Sequence, residues 1–321
     1  MKKIKKLQNN LSLSLKIATS FGVLFGIRDF ICSSILRGKG NIGKRAEFKR
    51  YEKIKNWIYL NYFKSLKNEY KGTGTEETET IKEDCPIWFF WWQGIENAPR
   101  LVNVCLASIE IHRGKHPINI ITSDNVRDFA EIPEYIYEKL EKGIITLTHF
   151  SDILRAQLLF QHGGIWMDST MLMVDEFSQE IYKKSFYTIH HEQRANYHVC
   201  KGKWSGFFLA SVPGNPIFKY LSSAFYEFWN TQECLIGYLL IDCFIALGYE
   251  NIPEMKKQVD SVPINNIGTL NMAMHFNDLY TKEIFEDLCS NTYLHKLSNK
   301  CNINENDENL YNYIINKFAL K

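Results

Sequence analysis

From Pro86 onward, short continuous apolar runs alternate with stretches whose apolar residues recur at helical spacing. Residues 87–92 form such a run, and its length suits a strand buried on both faces. Gln93 and Gly94 end it. Leu101, Val104, Cys105, Ser108 and Ile109 follow the 3.6-residue period, which predicts a helix over about 98–112. Pro117 precedes a second strand at 118–122. A helix over about 126–140 is interrupted near Pro133, and 144–148 reads as a third strand. Residues 151–161 read as a helix with Ser151 as N-cap and Gly163 near the C-cap. A fourth strand is expected at 165–174.

Strands alternating with helices predict an α/β fold with a mainly parallel central sheet covered on both faces. Ligands bind such sheets beyond the carboxyl ends of the strands. Chemistry is therefore expected in the loops after Trp92, Thr122 and Met167. Past Val174 the pattern is less regular. Strands are expected at 186–189 and 204–209. Asn215-Pro216 should cap a helix reaching about Trp229, with Pro at the first helical position. Residues 235–247 and 270–279 read as helical, and 310–320 as a short amphipathic stretch in an Asn-rich tail.

Charge divides the chain unevenly. Residues 1–70 carry 16 Lys/Arg against 4 Asp/Glu, and the remainder 22 against 32, although the whole chain is only +2. This first segment reads as basic and helical, and a polar, acidic stretch at 71–84 (KGTGTEETETIKED) reads as a linker. A catalytic domain over 85–301 and a polar tail over 302–321 complete the organisation. A basic arm of this kind meets anionic surfaces, either nucleic acid or an anionic inner leaflet. No nucleic-acid motif accompanies it, so a membrane surface is expected and nucleic acid is not. The longest apolar stretch, 17–27, has 11 residues. A spanning helix needs about 20, and no small-residue cleavage site follows. The stretch fits either a basic amphipathic segment lying on a membrane or an ordinary docking helix. The expectation is a cytoplasmic protein held peripherally at the inner face of the plasma membrane.

Composition adds little further. Apolar residues at 45% and charged residues at 23% allow a sizeable core. Aromatics at 14% suit a carbohydrate or nucleotide binder and a large core equally. The eight cysteines form no CxxC or other close metal-type spacing, so they read as buried structural thiols rather than zinc ligands.

The strongest local signal is SDILRAQLLFQHGGIWMDST, residues 151–170. Asp152 and Arg155 are three apart and share one helix face. Gly163-Gly164 turns the chain into a strand that ends at Asp168. A carboxylate there can hold a hard cation such as Mg²⁺ or Mn²⁺ against substrate phosphates. The structural alternatives are a dipole-complementing carboxylate with an i,i+3 ion pair for Asp152 and Arg155. For Asp242, in an otherwise apolar segment, the alternatives are an acceptor-side role and a salt-bridge partner.

This run resembles the DXD region of the capsular polysaccharide synthesis glycosyltransferases, a family similar to yeast initiating mannosyltransferases and large clostridial toxins. The pattern S-D-x-x-R followed by G-G-[IV]-[YW]-x-D-x-[DT] is matched by Ser151, Asp152, Arg155, Gly163, Gly164, Ile165, Trp166, Asp168 and Thr170. PIWFFWWQGIENAP, WSGFFLA, IDCF and HKLSNK resemble further blocks in the same order, so the resemblance spans about 86–300. It implies a GT-A type nucleotide-sugar transferase fold and a UDP- or GDP-linked donor. It also implies a glycan acceptor, lipid-linked in the sense of surface-polysaccharide assembly, and transfer with retention assisted by Mn²⁺ or Mg²⁺. Trp92 and Gln93 would meet the base, and Asp152 and Arg155 the ribose or sugar hydroxyls and phosphate. Gly164 and Ser205 would approach the donor, Lys296 and Lys300 the leaving diphosphate. Asp168 would be the catalytic metal and donor ligand, and Asp242 the acceptor-side residue. Thr170 replaces the second acid, so either another residue completes the metal site or the ion is weakly held. By analogy with transferases that use a C-terminal histidine, His295 is the candidate. An inactive binding module of the same fold is the main competing reading. A dinucleotide-dependent oxidoreductase is disfavoured, because Gly163-Gly164 lacks G-x-G-x-x-G spacing and follows a helix.

Overall fold

A computed structural model describes residues 2–66, 70, 79–192, 197–304 and 308–319. The expected linker lies outside the described residues over 71–78, and the tail over 305–307 and 320–321. The strands are β1 (Ile87–Phe90), β2 (Ile118–Ile121), β3 (Gly164–Met167), β4 (Met171–Met173), β5 (Phe186–Thr188), β6 (Phe208–Ser211) and β7 (Leu294–Lys296). Five form a central sheet in the order β2-β1-β3-β6-β5. β1 is parallel to β2 and β3, while β6 is antiparallel to both β3 and β5. One strand is therefore reversed against four, the mixed but mainly parallel α/β sheet expected. β4 and β7 form a separate antiparallel pair.

Several boundaries differ from the expectations for identifiable reasons. No strand forms at 144–148. The N–H groups of Ile144 and Ile145 both donate to Lys139 O, closing the Glu134–Glu141 helix, and Thr146 caps the next one. That helix, Leu147–His162, starts earlier than expected, so Ser151 is not its N-cap. The Ser151 hydroxyl instead donates back to Thr148 O at 2.6 Å, placing Asp152 and Arg155 beyond the first turn. The fourth strand is broken after Met167 by a turn in which Met171 N–H donates to Asp168 O. Residues 204–207 turn rather than extend, and β6 begins at Phe208. Only Met272–His275 is helical, as a 3₁₀ turn, within 270–279.

The N-terminal segment forms helices Lys2–Phe21, Val23–Phe30 and Gly40–Ile58. They share one continuous apolar core with the sheet: Ile17, Phe21, Tyr51, Ile54 and Ile58 are buried in it. Phe21 meets Trp57 edge-on at 5.0 Å and stacks on Phe228 at 6.3 Å. The first two helices cross closely at Gly26, where a Cβ would come within 2.5 Å of Ala18 Cβ. Asp29, buried at this junction, accepts from Ser14 Oγ at 2.6 Å and pairs with Arg50 at 2.5 Å. The Gly40–Ile58 helix then supports Leu240–Asn251, where Leu239 N–H donates to Tyr51 Oη and Lys55 pairs with Glu250 at 2.6 Å. A smaller second core joins the Arg100–His112 and Leu310–Lys317 helices to Leu172 and Leu297, around the β4–β7 pair.

Candidate active site

The site is built on the end of β3. Asp168 N–H donates to Phe207 O at 3.0 Å, and the chain then turns out of the sheet into β4. Pairing of β4 with β7 sets Met171 opposite Lys296. That register carries the Lys296 ammonium to 2.7 Å from Asp168 Oδ2 and 2.9 Å from Thr170 Oγ1. Trp166, two residues before Asp168, donates its indole N–H to Asp168 Oδ1 at 2.9 Å.

The Leu147–His162 helix supplies the other wall. Asp152 and Arg155 are both buried, at 6% and 5% exposure. Arg155 pairs with Asp152 at 3.1 Å and with Asp168 at 3.3 Å. It also donates to Ser151 O, Ser151 Oγ and Gly206 O, so the loop before β6 is tied to the helix through it. Burial works to raise the Asp168 carboxyl. Lys296 and Arg155, with the hydrogen bonds from Lys296 and Trp166, overcome this and hold it down at about 2. Asp152 goes the other way. Burial pushes it up to about 7 against the opposing charge of Arg155, which it shares with Asp168, and the Asp168 and Asp242 carboxylates add to the rise. His149, 3.6 Å from Asp152, is lowered to about 4 by burial and by Arg155.

These groups face a cavity of about 570 Å³, within the range of small-molecule sites. Its position beyond the carboxyl ends of β1 and β3 is the one anticipated for such a sheet. Among the predicted residues, Trp92, Gln93, Asp152, Arg155, Asp168, Ser205, Asp242 and Lys296 all line it. Trp92 is half-buried and edge-on to Phe150 at 5.4 Å. Asp242, in the first turn of Leu240–Asn251, accepts from Trp204 Nε1 at 2.9 Å. The loop after Thr122 is not part of the lining, and its place is taken by Gly206 and Phe207, because reversed β6 starts at this edge of the sheet.

Three predicted residues are not brought to the cavity. Gly164 starts β3, at the end opposite Asp168. Its φ of 93° and a Cβ that would lie 2.4 Å from Pro86 O explain the glycine by close strand approach. Lys300 is exposed beyond β7. His295 is fully buried opposite Leu172, and strand alternation turns it away from the face that Lys296 presents. Burial lowers its imidazole to about 4. His191, His198, Cys200 and Tyr238 line the cavity without having been singled out. They come from loop segments with no period to read, so sequence offered no signal for them.

A divalent ion shared by Asp168 and His295 does not fit these residues. His295 faces elsewhere, the Asp168 oxygens already serve Arg155, Trp166 and Lys296, and the Thr170 hydroxyl serves Lys296 too. Among the described residues, a different group has metal-type chemistry. Ligand atoms of His198, Cys200 and Asp242 lie within 4.8 Å of one another. His198 and Cys200 are only two apart, but the third member, Asp242, joins from a distant helix, so sequence spacing did not mark the set.

No curated protein matches the chain at a significant level. Among solved structures it is similar to "PaToxG Glycosyltransferase", with 17% identity, coverage of 68% of this chain and 83% of that one, and a TM-score of 0.39. A family model described as "Capsular polysaccharide synthesis protein" matches residues 38–315, taking in the Gly40–Ile58 helix as well as the site. The chain belongs to the capsular polysaccharide synthesis protein family.

Proposed function

We propose that the protein is a glycosyltransferase of GT-A type that moves a sugar from a nucleotide-sugar donor to a surface-polysaccharide acceptor, of capsule or lipopolysaccharide. The observation that carries this reading is Asp168 at the carboxyl end of β3, facing the cavity and held between Arg155 and Lys296. A UDP- or GDP-linked donor would lay its base against Trp92 and Gln93 and its ribose toward Asp152. The diphosphate would meet Lys296, and the sugar would lie near Ser205 with the acceptor entering beside Asp242. As the anomeric C–O bond breaks, negative charge grows on the departing diphosphate. Fixed cations aimed at that charge lower the barrier. With retention, the departing phosphate takes the acceptor proton on the same face.

Release of nucleoside diphosphate across a panel of nucleotide sugars tests this reading. One donor should be turned over, and Asp168→Ala should slow it at least about 100-fold. Equal, background release by wild type and variant from every donor, with and without glycan acceptors, would leave a binding module of the same fold.

A further inference from the structure

A pair of acids at the two DXD positions would suit a hard divalent ion held against substrate phosphates. Here Thr170 stands at the position of the second acid, and the place between the two positions is filled by protein. Lys296 Nζ lies 2.7 Å from Asp168 Oδ2 and 2.9 Å from Thr170 Oγ1, both within hydrogen-bond reach. The placement is built by the fold rather than by a flexible arm. Met171 and Lys296 are register partners, Lys296 N–H donates to Thr269 O, and Leu297 N–H donates to Thr170 O. The strand backbone is therefore fixed on both sides of the ammonium. A neutral hydroxyl at Thr170 is a poor exchange for a carboxylate when the ligand is a hard divalent ion. It is a good acceptor for an ammonium, which carries three donors. Two of them are used by Asp168 and Thr170, and the third remains for an oxygen in the cavity that Lys296 lines.

We propose that the Lys296 ammonium is the resident cation of the donor site, in the position a bridging ion would otherwise take, and that the protein binds its donor diphosphate without a divalent metal. The inference rests on the glycosyltransferase reading and deepens it. Lys296 would contact the diphosphate directly, while Asp168, Thr170 and Arg155 fix its place. Asp168 then serves the diphosphate through the lysine it orients. The charge it would otherwise lend to a metal is already neutralised, in line with a carboxyl held far below the usual range.

Calorimetric binding of UDP and of GDP, in EDTA and in Mn²⁺, separates the possibilities without requiring the acceptor. Wild type should bind one of them in EDTA, with an affinity that Mn²⁺ changes by less than about 2-fold. Lys296→Met should lose about 10- to 100-fold in EDTA and recover part of this in Mn²⁺, because the ion can now enter between Asp168 and Thr170. Manganese paramagnetic resonance reads the same exchange directly: Lys296→Met gains one bound ion over wild type, beyond any that the His198, Cys200 and Asp242 group holds in both. An unchanged melting temperature in EDTA shows that the variant is folded. If wild-type binding vanishes in EDTA and returns with Mn²⁺, the metal-free site is overturned while the donor reading stands. If neither nucleotide binds in either condition, both fall.

Discussion

At the scale of single residues the site is a set of opposed carboxyl environments. Asp168 is held at about 2 and stays ionised throughout the physiological range. Asp152, one helix away, is pushed up to about 7 by burial. The groups facing Asp152 are Arg155, His149, Asp168, Asp242 and the phenol of Tyr238. His149, at about 4, is neutral above pH 5, so Asp152 is the group expected to titrate in this region near neutrality. Nucleotide binding should show an inflection near pH 7 that Asp152→Asn abolishes; a profile unchanged by the substitution would remove Asp152 from the site. Stability carries the opposite signature to an ordinary paired aspartate. The folded pKa lies above the unfolded value of about 3.9, so the folded chain holds the extra proton. The contribution is full below about pH 4 and declines as pH rises towards 7. Melting temperatures of wild type, relative to Asp152→Asn, should fall across that window. Asp152, Arg155 and Asp168 could be singled out in advance because they fall in one short motif whose chemistry is local, whereas His149 and Tyr238 lie outside it. His295 was proposed by analogy with a C-terminal histidine of other transferases, and such an analogy says nothing about side-chain direction until the strand, with its alternation, is known.

At the scale of elements, what was legible follows the strength of the period. The three strands β1, β2 and β3 and the helices around them were legible from runs and 3.6-residue spacing. The failure at 144–148 shows the limit of that approach. A five-residue stretch rich in Ile, Leu and Thr is the same signal whether it pairs in a sheet or joins two helices. Gly143, at φ 68°, ends one helix and the Thr146 side chain starts the next, leaving no room for a strand. The N-terminal helices were read as basic and helical, but their attachment lies in long-range pairs that no local pattern reveals. Chief among these is Asp29 with Arg50, whose side chains are 5% and 10% exposed. Arg50→Met would strip Asp29 of its cation and leave it with Ser14 alone. Breaking a buried pair in this way costs about 3 kcal/mol or more. Thermal denaturation should show the loss. Limited proteolysis should cut first within 22–40, between the helices the pair holds together. Removing both partners, as Asp29→Leu with Arg50→Met, should recover a large part of the stability, because the lone charge is what costs most. If the single variant melts like wild type, the pair contributes nothing to attachment.

At the scale of the whole molecule, the N-terminal helices are divided between two surroundings. Ile17 and Phe21 face the core, whereas Ile4, Leu7, Leu11, Val23, Leu24 and Ile27 are each 46–66% exposed. Exposed lysines 5, 6 and 16 accompany them. Along the 17–27 stretch one face therefore docks on the core and the other is open. Among the described residues, no helix is long and apolar enough to cross a membrane. We propose that the open face rests on an anionic bilayer surface, bringing the cavity to a lipid-linked acceptor at the inner leaflet. Large side chains that water would otherwise surround gain from entering the headgroup boundary, and each basic residue near an anionic surface adds about 1 kcal/mol. Co-sedimentation with vesicles tests the arrangement. The protein should bind phosphatidylserine-containing vesicles, release them as salt rises, and bind neutral phosphatidylcholine weakly. Leu7→Asp with Leu24→Asp should cut binding at least about 10-fold, since each loses roughly 1.5–3 kcal/mol of apolar burial and gains a repelled charge. Because both positions face outward, away from the helices that support Leu240–Asn251, donor hydrolysis in solution should be unaffected. Loss of hydrolysis together with vesicle binding would mean that the two leucines serve the fold instead. Equal binding to neutral and anionic vesicles would remove the basic segment from the contact. With binding lost and hydrolysis kept, turnover of a membrane-embedded acceptor should fall while that of a soluble one does not, which ties the basic segment to acceptor access rather than to chemistry.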